Sequence, residues 1–207
     1  MGRSKSSHQW MQRHVNDEDV KRSQVDGYRS RASYKLLEIQ QRDSIIQPGQ
    51  VIVDLGSAPG GWSQVAVKLV GPKGRVVATD LLEMDPVQGV DFVRGDFTEQ
   101  AVVDDLIRLL DGRKVDLVIS DIAPNISGMS AVDQPRSMYL CELALDFARQ
   151  QLKSGGSLVV KVFHGAGFDD FIRDARTSFD RVVTRKPKAS RPKSREVYMV
   201  ATGFKAC

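Results

Sequence analysis

The stretch VIVDLGSAPGGW, from Val51 to Trp62, restricts the possible folds of this chain more than any other feature. Its first four residues end at Asp54, are mostly β-branched and predict a short strand. Residues Gly56–Gly61 carry no bulky side chain and predict a turn, after which a helix is expected from Trp62. Strand, glycine-rich turn and helix open a nucleotide-binding α/β unit, because glycine lets the backbone approach a ligand and the helix N-terminus offers free N–H groups.

The spacing of the glycines differs from the G-x-G-x-x-G pattern of dinucleotide-binding turns. The glycines of the turn are Gly56, Gly60 and Gly61, whereas Ala58 occupies the place of the middle glycine. An ordinary strand-to-helix connection is therefore an alternative for the stretch by itself, and other parts of the chain have to decide between the two.

Length and composition restrict the class of protein. The 207 residues suit one α/β domain with a short extension, and 41% hydrophobic residues are enough for a core. No run of 18 apolar residues occurs and the N-terminus has no apolar signal-peptide core, so no membrane association is expected. The two cysteines, Cys141 and Cys207, are far apart, which predicts a cytoplasmic protein without a structural metal.

Basic residues are concentrated in two regions of a chain whose formal net charge is +4. Residues 1–42 contain nine Lys or Arg against five Asp or Glu, and residues 181–195 contain seven Lys or Arg and no acid. Two basic ends around a nucleotide-type fold predict a polyanionic partner. For either end alone, solubilising surface charge is the alternative.

Hydrophobic periodicity and breaker residues predict strands that alternate with helices. The predicted helices cover residues 30–42, 62–70, 98–110 (with Thr98 as N-cap), 137–153 and 168–179, and the predicted strands cover 51–54, 75–79, 90–94, 115–120, 157–163, 181–185 and 196–202. Residues 122–136 form a long predicted loop of the kind that is often functional. This order indicates a single-domain, Rossmann-like α/β fold with a seven-stranded, mainly parallel sheet, an antiparallel last strand and helices on both faces. The domain is expected to cover residues 27–207, after a basic, flexible N-terminal segment at residues 1–26.

Acids occur at the ends of four predicted strands, namely Asp54, Asp80, Asp96 and Asp121. Ligands of open α/β sheets bind at the carboxyl ends of the strands. Asp80 lies 19 residues after Gly61, at the spacing of the acid that accepts hydrogen bonds from ribose hydroxyls. An NAD enzyme or an S-adenosylmethionine enzyme would use such an acid. In the second case Asp96 would suit the adenine amine, and Asp121 would lie nearest the sulfonium. For each acid alone, a role as helix cap or turn residue is the alternative. Trp62 could line the nucleoside pocket, and a role as a core aromatic is its alternative.

Lys161 interrupts an otherwise apolar predicted strand, LVVKVF. An unpaired ammonium in such a place is costly, so a partner is expected, and Asp121 at the end of the neighbouring strand is the natural one. A purely structural ion pair is the alternative. Two further charged residues stand at informative places: Glu196 begins the last strand, and Lys35 lies on the helix before the glycine turn.

In combination, these features resemble the FtsJ/RrmJ family of ribosomal RNA 2′-O-ribose methyltransferases, in particular its bacterial large-subunit members. The similarity covers roughly residues 27 to 204 and is carried by YRSRASYKLLEI, VDLGSAPGGWSQ, TDLLEMDP, GDFT, SDIAPNISG, GGSLVVKVF and RPKSREVYMVATGF. The resemblance implies a class I methyltransferase domain that takes a methyl group from S-adenosylmethionine, without a metal.

Site residues follow from the resemblance by motif. The family's Lys-Asp-Lys-Glu catalytic tetrad corresponds to Lys35, Asp121, Lys161 and Glu196. Its contacts with S-adenosylmethionine correspond to Gly60, Trp62, Asp80, Asp96 and Asp121. The expected substrate is the 2′-hydroxyl of a uridine in 23S ribosomal RNA, on the large ribosomal subunit, and the expected state is a monomer in the cytoplasm.

Lys161 is the expected proton acceptor for the ribose hydroxyl. The reference pKa of lysine is about 10.4, so a base at neutral pH requires a lowered value. Desolvation and Lys35 act in that direction, whereas Asp121 and Glu196 oppose it. In the alternative description, the ammonium form of Lys161 stabilises developing oxyanion charge. The basic N-terminal segment and the loop 185–195 are expected to hold the RNA backbone.

Three other functions, and two other substrates of the same reaction, compete with this interpretation. An NAD-dependent oxidoreductase would share the sheet, but Ala58 and the basic ends argue against it. A non-catalytic RNA-binding protein would not need the tetrad. An amino-methyltransferase is suggested only by the loose likeness of Asp121–Asn125 to an acidic-Pro-Pro-aromatic loop, in which the aromatic is missing. Within the family, tRNA and mRNA caps are alternative substrates.

Overall fold

A computed structural model of the chain describes residues 18–125, 127–191 and 194–206. The helices are α1 (Glu18–Val25), α2 (Ala32–Asp43), α3 (Gly61–Val70), α4 (Gln100–Leu110), α5 (Ser130–Gln151) and α6 (Phe168–Ser178). The strands are β1 (Val51–Leu55), β2 (Arg75–Asp80), β3 (Val90–Arg94), β4 (Val115–Ser120), β5 (Leu152–Phe163), β6 (Phe179–Arg185) and β7 (Glu196–Phe204).

All seven strands form one sheet in the order β3-β2-β1-β4-β5-β7-β6. The pairs among β1 to β5 are parallel, whereas β7 lies antiparallel between β5 and β6. The predicted seven-stranded sheet with an antiparallel last strand is confirmed. This topology places the carboxyl ends of β1, β2, β4 and β5 at one edge, next to the amino end of β7.

Apolar side chains form a core on each face of the sheet. On one face, α4, α5 and α6 pack on the sheet through residues such as Leu106, Leu145 and Ile172. On the other face, α2 and α3 contribute Leu36 and Val65. Strand residues alternate between the two cores because successive side chains point to opposite faces, and this confirms the predicted helices on both faces.

Helix α5 begins at Ser130, seven residues earlier than predicted, so the predicted loop 122–136 is shorter. The prediction was wrong because Pro135 was expected to lie outside the helix, whereas it lies in the second helical turn. The carboxylate of Asp133 holds the entry to this helix by accepting hydrogen bonds from the N–H and hydroxyl of Ser127 and from the N–H of Gly128. These bonds stabilise the start of the helix, where one backbone hydrogen bond is missing because Pro135 has no N–H.

Several other boundaries also differ from prediction, and two of them have a clear structural reason. Glu99, not Thr98, is the N-cap of α4, because the Thr98 N–H and hydroxyl both donate to Asp96 Oδ1. Strand β5 begins at Leu152 instead of Ser157, since Leu152 already pairs with Val115 before a register irregularity in β4.

Part of the N-terminal prediction lies outside the described residues, namely residues 1–17. Helix α1 falls within the segment that was expected to be flexible, and it contacts α2 through the Arg22 guanidinium, 4.5 Å from the centre of the Tyr34 ring. A domain boundary at residue 27 stays a prediction. Cys207 also lies outside the described residues, whereas Cys141 is a buried free thiol. No helix in the described part of the chain is long and apolar enough to cross a membrane.

Candidate active site

Two glycines allow the loops at the carboxyl edge of the sheet to approach closely. Gly56 follows β1 with a φ of +75°, and a Cβ there would lie 2.7 Å from the Cβ of Ile122, in the loop after β4. At Gly61, the first residue of α3, a Cβ would lie 2.6 Å from the Ser30 hydroxyl and 2.7 Å from the Ser33 hydroxyl. Only glycine fits at these positions without displacing these neighbouring side chains.

A cavity of about 370 Å³ opens at this edge. Its polar wall contains three of the predicted acids, Asp80, Asp96 and Asp121, and its apolar wall is formed by Leu81, Leu82, Phe97, Ile122, Pro124 and Leu140. Carboxylates accept hydrogen bonds from hydroxyls and amines and attract cations, and apolar side chains cover the face of a heterocycle. The wall therefore fits S-adenosylmethionine, which carries ribose hydroxyls, an adenine amine and a sulfonium.

Backbone hydrogen bonds orient two of these acids. Asp80 accepts the N–H of Ala58 at 2.9 Å through Oδ2 and the N–H of Leu82 at 2.8 Å through Oδ1. Asp96 Oδ1 accepts the N–H and the hydroxyl of Thr98 at 2.9 and 2.7 Å. Each Asp80 oxygen keeps a second lone pair, and Thr98 binds Asp96 only through Oδ1, which leaves Oδ2 for a ligand.

Gly60 and Trp62 are not among the described residues that line this cavity. Trp62 is only 2% exposed, and its Nε1–H donates to the carbonyl of Ala32 at 2.8 Å. Its ring packs against Tyr198 with a centroid distance of 5.5 Å. The environment of Trp62 is thus that of a core aromatic, and direct contact of Gly60 or Trp62 with a cofactor stays a prediction.

Asp54 does not share the cavity with the other acids, contrary to expectation. It lies within β1, is fully buried and accepts a hydrogen bond from the Ser63 hydroxyl at 2.6 Å. Its Oδ1 atom has no hydrogen-bond partner among the described residues. Burial raises the pKa of Asp54 to about 7, the negative charges of Asp121 and Asp80 act in the same direction, and the Ser63 bond opposes them.

The four predicted tetrad residues are brought together from α2, the end of β4, β5 and the start of β7. Lys35 Nζ lies 2.7 Å from Glu196 Oε1. Lys161 Nζ donates to the Asp121 carbonyl oxygen at 2.6 Å and lies 3.2 Å from Asp121 Oδ1. The side chains of both lysines are 9% exposed, that of Glu196 is 13% exposed and that of Asp121 is 19% exposed. The expected pairing of Lys161 with Asp121 is present, and the site combines two lysines with two acids.

Tyr198 joins the two ion pairs, and the sequence analysis missed it. Its hydroxyl donates to Asp121 Oδ1 at 2.6 Å and accepts a hydrogen bond from Lys35 Nζ at 3.1 Å. The residue is fully buried. The spacing could have identified it, because Tyr198 follows Glu196 by two residues on a strand and therefore faces the same side of the sheet.

Burial and the lysine charges determine the ionisation of the other site residues. Burial by itself would raise the pKa of Asp121, but the charges of Lys161 and Lys35 and the Tyr198 hydroxyl hold it below its usual value. Burial likewise opposes ionisation of Glu196, whose pKa Lys35 and Lys161 nevertheless hold low. The pKa of Tyr198 is raised well above 10 by burial and by the two neighbouring carboxylates. Both acids are therefore carboxylates at neutral pH, and the tyrosine keeps its proton.

The basic loop between β6 and β7 is attached to the helix that carries Lys35. Glu38, one turn further along α2, accepts the N–H of Lys188 at 2.7 Å through one carboxylate oxygen. Its other oxygen accepts the N–H of Ala189 at 3.0 Å. Ser190 connects the same loop to the tetrad, because its hydroxyl donates to Glu196 Oε1 at 3.0 Å.

The cations of this loop differ in how free they are to bind a partner. The ammonium of Lys186 donates to the carbonyl oxygens of Ser194 and Glu196, at 2.7 and 2.6 Å. Lys188 and Arg191 are exposed. Lys193, which belongs to the predicted RNA-binding loop, lies outside the described residues. Among residues 18–125, 127–191 and 194–206, no group of three or more His, Cys, Asp or Glu is arranged to hold a metal ion.

Known proteins are similar in sequence to this chain over nearly its whole length. One relative, from Marinobacter nauticus, is 64% identical over 99% of this chain and 99% of its own length, and it is named ribosomal RNA large subunit methyltransferase E. A relative of the same name from Chromobacterium violaceum is 61% identical over 98% of this chain and 99% of its own length.

A solved structure has the same architecture. It is a protein from Plasmodium falciparum described as a ribosomal RNA methyltransferase, and it is 29% identical to this chain, with a TM-score of 0.76 over 87% of this chain and all of that one. Residues 28–204 match the family model of the FtsJ-like methyltransferases. This chain therefore belongs to the FtsJ-like methyltransferase family.

Proposed function

We propose that this protein transfers a methyl group from S-adenosylmethionine to the ribose 2′-hydroxyl of a uridine in 23S ribosomal RNA, on the large ribosomal subunit. The observation that carries the proposal is the buried network of Lys35, Asp121, Lys161, Glu196 and Tyr198 beside a cavity with three carboxylates. Relatives above 60% identity that are named large-subunit methyltransferases support this substrate over tRNA or an mRNA cap.

S-adenosylmethionine, when bound, supplies a methyl group that is already electrophilic because it is attached to a sulfonium. Asp80 is proposed to accept hydrogen bonds from its ribose hydroxyls and Asp96 one from its adenine amine, as their places in the cavity wall allow. Asp121 lines the same cavity and also belongs to the tetrad. It is therefore the residue that connects the cofactor site with the proton-transfer site.

The remaining chemical task is to position the ribose hydroxyl and remove its proton. Lys161 is proposed as the acceptor. A neutral amine has two N–H donors and one lone pair. Both donors can be used by the two Asp121 oxygens at 2.6 and 3.2 Å, which leaves the lone pair for the substrate. In the ammonium form, the third N–H would instead stabilise charge on the attacking oxygen.

The other network members are proposed to keep Lys161 and the ribose in position. Tyr198 holds Asp121 through Oδ1, the same oxygen that lies next to Lys161 Nζ, and Lys35 is held in turn by Tyr198 and Glu196. This chain of bonds restricts the rotamers of all four charged members of the network. Since no ion-pair side chain of the network is more than 19% exposed, the network loses little strength to solvent screening.

The exposed cations Lys188 and Arg191 are proposed to bind RNA phosphates, together with the basic N-terminal segment. Phosphate contacts give an affinity that falls with salt concentration. Replacing both residues by alanine should weaken RNA binding and reduce the slope of log affinity against log salt by roughly two, about one for each contact. An unchanged slope would refute this assignment.

The experiment that tests the function is labelled methyl transfer to 23S ribosomal RNA, to assembled large subunits and to tRNA side by side. Label in ribosomal RNA or subunits, at a nucleotide that resists alkaline cleavage, is the expected result. Label in tRNA alone would overturn the substrate, and cofactor binding without transfer to any RNA would favour a non-catalytic RNA-binding protein. We propose further that the enzyme acts in the cytoplasm. We also propose that it acts as a monomer, because one chain contributes all network residues.

A further inference from the structure

A second cavity, of about 510 Å³, lies against a different face of α5 from the cofactor cavity. It is bounded by the first half of α5, by residues 165–167 after β5 and by Arg195, just before β7. The two cavities have no lining residue in common. Helix α5 separates them, because Leu140 lines the cofactor cavity whereas the adjacent Tyr139 lines this one. The second cavity thus has no part in the cofactor site.

The wall of this cavity lies directly beyond the ends of β5 and β7, the two strands that carry Lys161 and Glu196. Strand β5 passes from Lys161 to Phe163, which is the register partner of Glu196 in β7. The N–H of His164 donates to the carbonyl of Arg195 at 3.0 Å, so the pairing extends past both strand ends to the rim. Arg195 adjoins Glu196 in the chain. When the ribose of one nucleotide lies at the tetrad, a neighbouring nucleotide of the same RNA can therefore reach this cavity.

The chemistry of the wall suits an unstacked nucleotide. Tyr139 is 52% exposed, and its ring offers a stacking surface at the cavity. The exposed guanidinium of Arg195 has no ion pair or hydrogen bond among the described residues, which leaves it available to a phosphate. An aromatic face beside a free cation is the usual arrangement for holding single-stranded RNA.

Gln134 adds a fixed hydrogen-bonding group to this wall. It is 7% exposed, and its Nε2 donates to the carbonyl oxygens of Phe163 and Ala166, at 3.1 Å each. Because both donors are used, the amide orientation is fixed, and Oε1 remains as an acceptor that no described residue uses. Gly165 permits this packing, since a Cβ there would lie 2.8 Å from the Gln134 amide carbon.

We infer that this cavity binds the base of a nucleotide next to the methylated one, flipped out of its stack. Tyr139 stacks on the base, Arg195 contacts its phosphate, and Gln134 accepts a hydrogen bond from an N–H at the base edge. The inference rests on the proposed function, because it requires RNA as the substrate. It adds to that function a site for the sequence or shape around the target, separate from the residues that transfer the methyl group.

The test compares the Tyr139→Ala and Tyr139→Phe variants with the wild type on the ribosomal RNA or subunit that the wild type methylates. Loss of one stacked base corresponds to roughly a five- to 150-fold change in affinity. Tyr139→Ala should raise the KM for RNA by at least about fivefold, with an unchanged dissociation constant for S-adenosylmethionine, whereas Tyr139→Phe should keep the wild-type KM. An unchanged KM in Tyr139→Ala, or an equal rise in Tyr139→Phe, overturns the stacking site.

Arg195 is tested with a matched control. Arg195→Ala should reduce the slope of log affinity for RNA against log salt by about one, as expected for one phosphate contact. Lys73→Ala removes an exposed cation from the turn between α3 and β2, at the opposite edge of the sheet, and should leave the slope unchanged. Equal slopes in Arg195→Ala and the wild type overturn the phosphate contact. Absence of any transfer by the wild type would instead refute the proposed function itself.

Discussion

The buried carboxyl of Asp54 should make the stability of this protein depend on pH in a specific direction. Its pKa is about 7 in the fold, against a reference value of 3.8. Between these two values the folded protein binds a proton that the unfolded chain has released, so the free energy of unfolding falls as pH rises. At 1.36 kcal/mol for each pKa unit, the full difference between low and high pH is about 4 kcal/mol.

The Asp54→Asn variant removes this titration and keeps an oxygen to accept the Ser63 hydrogen bond, which is 2.6 Å long in the wild type. Urea unfolding of both proteins between pH 5.5 and 8.5 measures the effect. Over that range the wild type should lose about 2 kcal/mol relative to the variant, since part of the 4 kcal/mol is already lost at pH 5.5. Most of the change should occur below pH 7, with a plateau above it.

Ser63→Ala is the matched control for this experiment, because the Ser63 hydroxyl lowers the pKa of Asp54. Without that bond the pKa rises further, so the loss of stability should extend to higher pH than in the wild type. A constant difference between wild type and Asp54→Asn across the whole range would mean that Asp54 is ionised throughout. That result would refute the reasoning from burial.

Other predictions concern the attachments of α2. Asp43 accepts two hydrogen bonds from Arg185 in β6, at 2.7 and 2.8 Å, and its side chain is 2% exposed. Asp43→Ala would leave the Arg185 charge without this partner, so it should lower the free energy of unfolding in urea by about 3 kcal/mol. Arg185 lowers the pKa of Asp43, and this stabilisation should therefore be present above the carboxyl's unfolded pKa and lost as pH falls through the folded value. Glu38→Gln keeps only one carbonyl acceptor for the two loop N–H groups, and it should raise the KM for RNA severalfold in a methyl-transfer assay, while the dissociation constant for S-adenosylmethionine stays the same. A wild-type KM in Glu38→Gln would show that the loop does not need this attachment.

Much of the architecture was predictable from the sequence because hydrophobic pattern and glycine turns act locally. The alternation of strands and helices gave the parallel sheet, and the strand from Val115 to Ser120 was placed correctly. Helix α5 was not, because its start depends on a side-chain network around Asp133 that no local pattern reveals. Bonds between a helix side chain and the residues just before the helix thus accompany a start before Pro135, within the stretch that was predicted as a loop.

The site was predictable in part for the same reason. Lys161 stood out as a charge in an apolar strand, and its need for a partner indicated Asp121 correctly. Trp62 and Asp54 are buried, which depends on packing between α2, α3 and β1 and cannot be deduced from a turn motif. Tyr198 was missed because a tyrosine in an apolar strand looks like core, although its spacing from Glu196 was informative, and its contacts with Asp121 and Lys35 place it in the network.

The central claim is that Lys161 accepts the proton of the ribose hydroxyl within this network. The most direct test is methyl transfer by Lys161→Ala, measured together with the dissociation constant for S-adenosylmethionine. Lys153→Ala is the control, because Lys153 lies on the same strand near its other end and pairs with Asp116. We expect Lys161→Ala to lose roughly 10²- to 10⁴-fold in kcat, as for removal of a general base, with unchanged cofactor binding and with Lys153→Ala fully active. Transfer by Lys161→Ala at a rate near that of the wild type would contradict the account.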